Sequence, residues 1–240
     1  MVRKKSALFV LLHKNYKMLK ILKQYKLFFF IIFVFGAITI SLFMNALTPK
    51  KRLPIMNPAD VNPELVDSTV QHVSKYHTIA HFSFTNQNGK TITEKDYEGK
   101  IYVADFFFTT CQTICPRMTT NMVEIQKAFV NNPEVMLLSH SVLPDIDSVP
   151  VLKAYSIKNG VIDSKWNLVT GDKKEIYGIA RKSYLAVKTG KPEELYDMVH
   201  TENFILVDTK RRVRGFYDGT KNEDITRLIA DVKWLLENKN

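Results

Sequence analysis

Between Leu27 and Leu47 the chain runs for 21 residues without a charge, dense in Phe, Ile, Leu and Val. At about 1.5 Å per residue, a helix of that length spans roughly 30 Å, the thickness of a bilayer's hydrocarbon layer. No soluble fold exposes such a stretch, and its length is wrong for one buried helix of a small core. The basic lead before it is long for a secretion signal, the apolar stretch exceeds a signal's usual length, and no small-residue cleavage site follows. The absence of a cysteine directly after it argues against a lipoprotein. The expectation is a single uncleaved anchor.

Charge gives that anchor a direction. The formal charge of +10 is concentrated around the apolar run: Arg3, Lys4, Lys5, Lys14, Lys17, Lys20, Lys23 and Lys26 precede it, and Lys50, Lys51 and Arg52 follow it. The rest of the chain is close to neutral, so no folded basic stripe of the kind that binds nucleic acid is expected. The excess of positive residues before the span predicts a cytoplasmic amino terminus and an extracytoplasmic remainder. The expected organisation is a basic cytoplasmic tail over 1–26, an anchor over 27–47, a linker over 48–71 and one domain over 72–240. Pro49, Pro54, Pro58 and Pro63 predict a semi-extended linker with reach.

Across residues 72–240, strand and helix patterns alternate. His81 to Thr85 and Thr91 to Thr93 flank the turn pair Asn88-Gly89 and predict an opening hairpin. Ile101 to Phe108 is an almost unbroken apolar run of strand length, which predicts a central strand buried on both faces. Met118, Met122, Ile125 and Phe129 recur at helical spacing, with Pro116 suited to the first turn. A strand over Val135 to Val142, a helix near Val149 to Lys158, a strand near Asn167 to Thr170 and a helix near Lys173 to Lys182 follow. Two strands, Phe204 to Val207 and Val213 to Tyr217, precede a last amphipathic helix carrying Ile225, Leu228, Ile229, Val232, Leu235 and Leu236. Such alternation predicts an α/β layered fold.

The two cysteines lie in Thr110-Cys111-Gln112-Thr113-Ile114-Cys115-Pro116, where the central strand gives way to its helix. Ligands bind at the carboxyl ends of strands in α/β sheets, and a helix amino terminus favours thiolates. Three readings follow from the residues alone. One is a structural disulfide, whose short loop would constrain the unfolded chain only modestly. The others are a redox dithiol and a soft-metal site. Two thiolates suit Cu(I), whereas structural zinc would call for more protein ligands than two cysteines supply.

The segment from Asp105-Phe106-Phe107-Phe108-Thr109-Thr110-Cys111 to Cys115-Pro116 resembles the SCO/SenC family. So do Ser141-Val142-Leu143-Pro144 with Asp147-Ser148, and Val199-His200-Thr201 ahead of Phe204-Ile205-Leu206-Val207-Asp208. The likeness covers about residue 76 to the end. It implies a thioredoxin-like fold with an N-terminal hairpin extension, preceded by one transmembrane helix. It further implies copper, as Cu(I) with Cu(II) as a second state, bound by Cys111, Cys115 and His200. The implied role is a metallochaperone for the binuclear copper centre of cytochrome c oxidase, with its subunit II or another copper-accepting protein as partner. The matching location is a single-pass protein with its domain on the periplasmic side of a bacterial inner membrane.

In thioredoxin-like proteins the loop before the penultimate strand faces the dithiol, and here that loop offers His200-Thr201. His13 lies in the basic tail, while His72, His77 and His81 precede the central strand and gain no such support. His140 ends a neighbouring strand and could approach the site, but a packing role is the preferred reading. Met118 and Met122 read as core and Met198 as a further thioether. Asp105 interrupts the apolar strand, either assisting thiol chemistry or serving as a hydrogen-bonded core acid. Leu143 departs from the family pattern, in which many members carry an acid.

The competing functions share Cys111 and Cys115. A thiol-disulfide oxidoreductase would reduce a partner's cysteines without needing His200. A peroxidase or redox sensor would need one accessible thiolate and a resolving cysteine.

Overall fold

The computed structural model describes residues 24–47, 53–63, 66–185 and 201–238. The chain divides into two compact units, Met1–Arg52 and Leu53–Asn240. In the first, helix α1 (Lys26–Leu47) is long and apolar enough to cross a membrane. Its phenylalanines and isoleucines point outward all round, leaving it without the polar face of a helix that rests on a soluble core.

The second unit is built on a seven-stranded sheet. Its strands are β1 (Ser83–Asn86), β2 (Thr91–Thr93), β3 (Ile101–Phe107), β4 (Val135–Ser141), β5 (Trp166–Thr170), β6 (Asn203–Val207) and β7 (Val213–Asp218), in the order β2-β1-β5-β4-β3-β6-β7. β3, β4 and β5 are parallel, while β1, β2, β6 and β7 join antiparallel. Helices α2 (Cys115–Ala128), α3 (Val149–Lys158), α4 (Lys173–Lys182) and α5 (Asn222–Glu237) link or follow the strands.

β3 is inside the sheet, and all seven of its residues are buried. Alternation along it divides two cores. Ile101, Val103 and Phe107 pack with Met118, Met122 and Ile125 of α2 and with Leu228, Val232 and Leu235 of α5. Tyr102, Ala104 and Phe106 face the other way, toward Phe82, Phe84, Tyr184 and the Ile176 face of α4. The opening hairpin turns through Gly89 at φ +75°, a left-handed conformation that glycine adopts without strain. Asn86 Oδ1 accepts from the backbone N–H groups of Asn88 and Lys90 and closes the turn. The sheet is that of a thioredoxin-like α/β domain with a hairpin added at its N-terminal side.

The compact unit begins earlier than the boundary at residue 72 that the sequence suggests. Leu53 joins the core around β3, and Val66 is buried. The Arg214 side chain donates to the carbonyls of Leu53 and Pro54 at 2.6 and 2.8 Å, and Met56 N–H donates to the Val213 carbonyl at 2.8 Å. Pro54, read from the sequence as part of a linker, therefore lies in an irregular stretch, residues 53–56, fastened along β7, and Pro49 lies outside the described residues. Beyond Met56 the segment holds itself in short turns, with a 3-10 turn over Pro58–Asp60, and none of them is long enough to carry a periodic pattern.

Candidate metal centre

β3 ends at Phe107, and α2 starts at Cys115, so Cys111 lies in the connection and Cys115 in the first helical position. Pro116 fits the first turn, where its missing N–H breaks no helical bond. Ile114, the N-cap, contributes no side-chain acceptor, which leaves the first N–H groups of α2 without the usual oxygen. The Cys111 sulfur stands close by, and interactions with Cys115 and Thr113 favour its anion. The Thr113 hydroxyl lies 3.6 Å from the sulfur.

Both thiols are free and largely buried. Burial pushes the Cys111 thiol up, but hydrogen bonds from Cys115 and Thr113 outweigh it and bring the pKa down to about 7. Cys115 moves the opposite way, to about 12, first through burial and then through donating its own proton to Cys111. One sulfur is thus poised as a thiolate and its neighbour as a thiol.

Three polar groups lie beside the pair on the same face of the sheet. Asp105 is buried on β3 opposite Ser139 of β4. Burial raises its pKa to about 7 against the pull of a hydrogen bond from Ser139. The Ser139 hydroxyl also accepts from Trp166 Nε1 at 2.8 Å, and Asp105 Oδ1 has no hydrogen-bond partner. Tyr155 of α3 shares a 2.6 Å hydrogen bond with the Thr119 hydroxyl, and its phenol is raised to about 12, mainly by burial. Asp105 is therefore both a partly bonded core acid and a neighbour of the thiols.

His140 does not join them. It pairs in register with Phe106 and projects to the opposite face, with Phe106 stacked at 5.0 Å and Phe82, Phe84 and Tyr184 around it edge-on. Burial drives its pKa down to about 3, so it stays neutral. Strand parity explains the difference, since a residue one position from Ser139 must face the other core. His77 Nε2 bonds to the Ser183 carbonyl at 2.8 Å, and His81 pairs with Glu94 at 2.7 Å. Met118 and Met122 are buried in the core around α2, as their spacing predicts.

His200 lies outside the described residues, as do Met198 and His13. Thr201, directly after His200, is buried, and its hydroxyl accepts from Asn203 N–H at the head of β6. β6 runs antiparallel to β3, with Ala104 opposite Ile205, so it begins at the end of the sheet where β3 finishes. Among the described residues no three His, Cys, Asp or Glu side chains cluster as a complete metal site.

Two groups escaped the sequence reading. Thr113 bonds to Cys111 from inside the motif, and Asp147 holds the loop that leads into it. The second was visible only as part of the Asp147-Ser148 pair, with nothing to show where its carboxylate would go.

A free dithiol at the mouth of a thioredoxin-like sheet, where the central strand passes into a helix, defines a soft-metal or thiol-redox centre of the thioredoxin-like class. The SCO1/SenC family model matches residues 70–237, and the chain belongs to that family. It is 36% identical over 154 residues to the SCO1 protein homolog of Bacillus subtilis (strain 168), covering 63% of this chain and 79% of the relative. The solved structure of BsSco, described as a member of the Sco family of cytochrome c oxidase assembly proteins with a disulfide switch, aligns with a TM-score of 0.56. Its identity is 34%, over 65% of this chain and 92% of that one. Bradyrhizobium japonicum ScoI with copper bound aligns with a TM-score of 0.52 and 27% identity, over 66% of this chain and 98% of the other.

Proposed function

We propose that this chain is a membrane-anchored metallochaperone that carries copper on Cys111, Cys115 and His200 and delivers it to the binuclear copper site of cytochrome c oxidase, in subunit II. The observation that carries the reading is the pair of free, hydrogen-bonded thiols at the amino terminus of α2. Soft sulfur donors suit Cu(I), and Cu(II) is a second state that imidazole would help to hold. The position of β6 supports His200 as third ligand, because that strand, three residues on in the chain, begins at the cysteine end of the sheet. Copper bound to B. japonicum ScoI and the assembly role in the BsSco description support the cargo and the destination. The charge distribution around α1 supports a cytoplasmic amino terminus and a domain on the periplasmic side of a bacterial inner membrane.

Three ligands leave copper open to a fourth. An incoming thiolate from the acceptor binds before one of the donor's ligands leaves, so the metal passes by exchange without being released. Copper is the cargo in this scheme, and the chain's own task is to keep both sulfurs reduced and correctly placed. The test is anaerobic loading of the full chain in detergent with Cu(I). One copper per chain is expected, lost in Cys111→Ser and Cys115→Ser and held more weakly in His200→Ala. A wild-type chain that retains no copper overturns the reading.

The asymmetry of the thiols favours a second reading, a thiol-disulfide oxidoreductase. The Cys111 thiolate attacks a partner disulfide, forming a mixed disulfide and expelling one partner thiolate. Cys115 then loses its proton and attacks the Cys111 sulfur, releasing the second partner thiolate. The protein becomes the disulfide and the partner gains two electrons. Turnover of a partner disulfide by His200→Ala at the wild-type rate supports this reading, and no turnover by the wild type excludes it.

A further inference from the structure

Asp147 is fully buried beyond the end of β4, and three hydrogen bonds converge on its carboxylate. The Thr109 N–H donates at 3.2 Å, the Thr109 hydroxyl at 2.5 Å and the Ser141 hydroxyl at 2.5 Å. Ser141 Oγ in turn accepts from Leu143 N–H at 3.2 Å. All three donors to the carboxylate are uncharged. A carboxylate held in the interior needs such bonds, and their loss leaves it exposed to the full cost of burial.

The placement of these bonds matters more than their number. Thr109 is the second residue before Cys111, and both its backbone and its side chain go to Asp147, which fixes the residue's torsions and its rotamer together. The next link is short, since Cys111 N–H donates to the Phe108 carbonyl at 3.3 Å. The chain from β3 into the sulfur pair is thus tied to the β4–α3 turn, where Asp147 N–H also donates to the Leu143 carbonyl at 2.9 Å.

We propose that Asp147 is a positioning residue for the sulfur pair: through Thr109 it latches the Thr109–Cys111 turn to the end of β4 and so sets where the Cys111 sulfur stands for copper. The inference rests on the copper reading above. Asp147 touches neither sulfur and acts only through Thr109.

The test uses the full chain in detergent, loaded with Cu(I) and competed with the chelator bicinchoninate. Thr109→Val keeps the shape of the side chain but removes the hydroxyl, and it should weaken copper retention about tenfold or more, the range typical of groups that orient metal ligands. Asp147→Asn should do the same. The double variant should be no worse than the weaker single one, because both remove the same bond. Thr109→Ser restores the hydroxyl and should return retention to the wild-type value, a rescue that loss of packing would not give. If Asp147→Asn does not fold, the Thr109 pair decides. Wild-type retention by a normally folded Thr109→Val overturns the latch. If the wild type takes up no copper, the functional reading fails, and the metal-free chain still tests the latch through iodoacetamide. Cys111 should then react about tenfold faster in Thr109→Val, where the turn opens locally, and at the wild-type rate in Thr109→Ser. Equal rates in all three overturn it.

Discussion

At the scale of single residues, the two cysteines differ in kind although only three residues separate them. Cys111 collects hydrogen bonds that favour its anion, whereas Cys115 is buried and spends its proton on Cys111. Alkylation of the reduced protein should therefore be selective: the rate at Cys111 rises as the pH passes about 7 and then levels, while Cys115 stays unmodified until the pH nears about 12. Peptide mass analysis after brief iodoacetamide treatment at pH 8 should find the label on Cys111 alone, and equal labelling would refute the asymmetry. Asp105 makes a second prediction. Its carboxyl titrates at 3.8 when unfolded and at about 7 in the fold, chiefly because burial opposes the charge. The native state then binds more protons across that window, so stability falls as the pH rises from 3.8 to about 7 and levels off above it. Asp105→Asn should match the wild type at pH 4 and exceed its stability by about 4 kcal/mol at pH 8. Urea unfolding at the two pH values checks this; equal pH dependence in both proteins would show that the Asp105 carboxyl has the same pKa folded and unfolded.

At the scale of elements, the N-terminal segment on β7 depends on one buried guanidinium. Arg214 reaches Asp208 at 2.9 Å as well as the carbonyls of Leu53 and Pro54, so a single side chain fastens an irregular stretch to the sheet. Arg214→Ala should cost about 3 kcal/mol, since it leaves buried partners unpaired, and should open residues 53–56 to proteolysis before the rest of the domain melts. Digestion patterns that match the wild type would count against the fastening. The contrast with the sheet shows what a sequence discloses. β3, α2, α4 and α5 were legible because each carries its own periodicity or apolar run, and the sulfur pair was legible because it lies in one short stretch. The segment from Leu53 was not, since its partners are about 160 residues away and proline-rich coil looks the same whether docked or free. His140 stands outside the candidate ligands in the sequence reading, and strand parity accounts for that: it faces the other core. Asp147 was invisible as a latch because a carboxylate's partners across two loops leave no local pattern.

For the whole molecule, the question is where the folding unit starts. A domain cut at residue 72, where the sequence suggested a boundary, discards Leu53 and Val66 from the core and removes both carbonyls held by Arg214. Burying a side chain of this size contributes about 1.5–3 kcal/mol, and an Arg214 left with Asp208 alone adds to the loss. The fragment 53–240 should therefore unfold in one transition, and 72–240 should be less stable by about 3–5 kcal/mol on the same arithmetic. The sulfur pair lies in the β3–α2 connection and the first position of α2, so both fragments should keep selective labelling of Cys111 wherever they remain folded. Calorimetry of the two fragments decides the matter. Coincident transitions would mean that residues 53–71 add nothing to the fold, and the buried Leu53 and the Arg214 bonds would then have to be local ornaments on a domain complete without them.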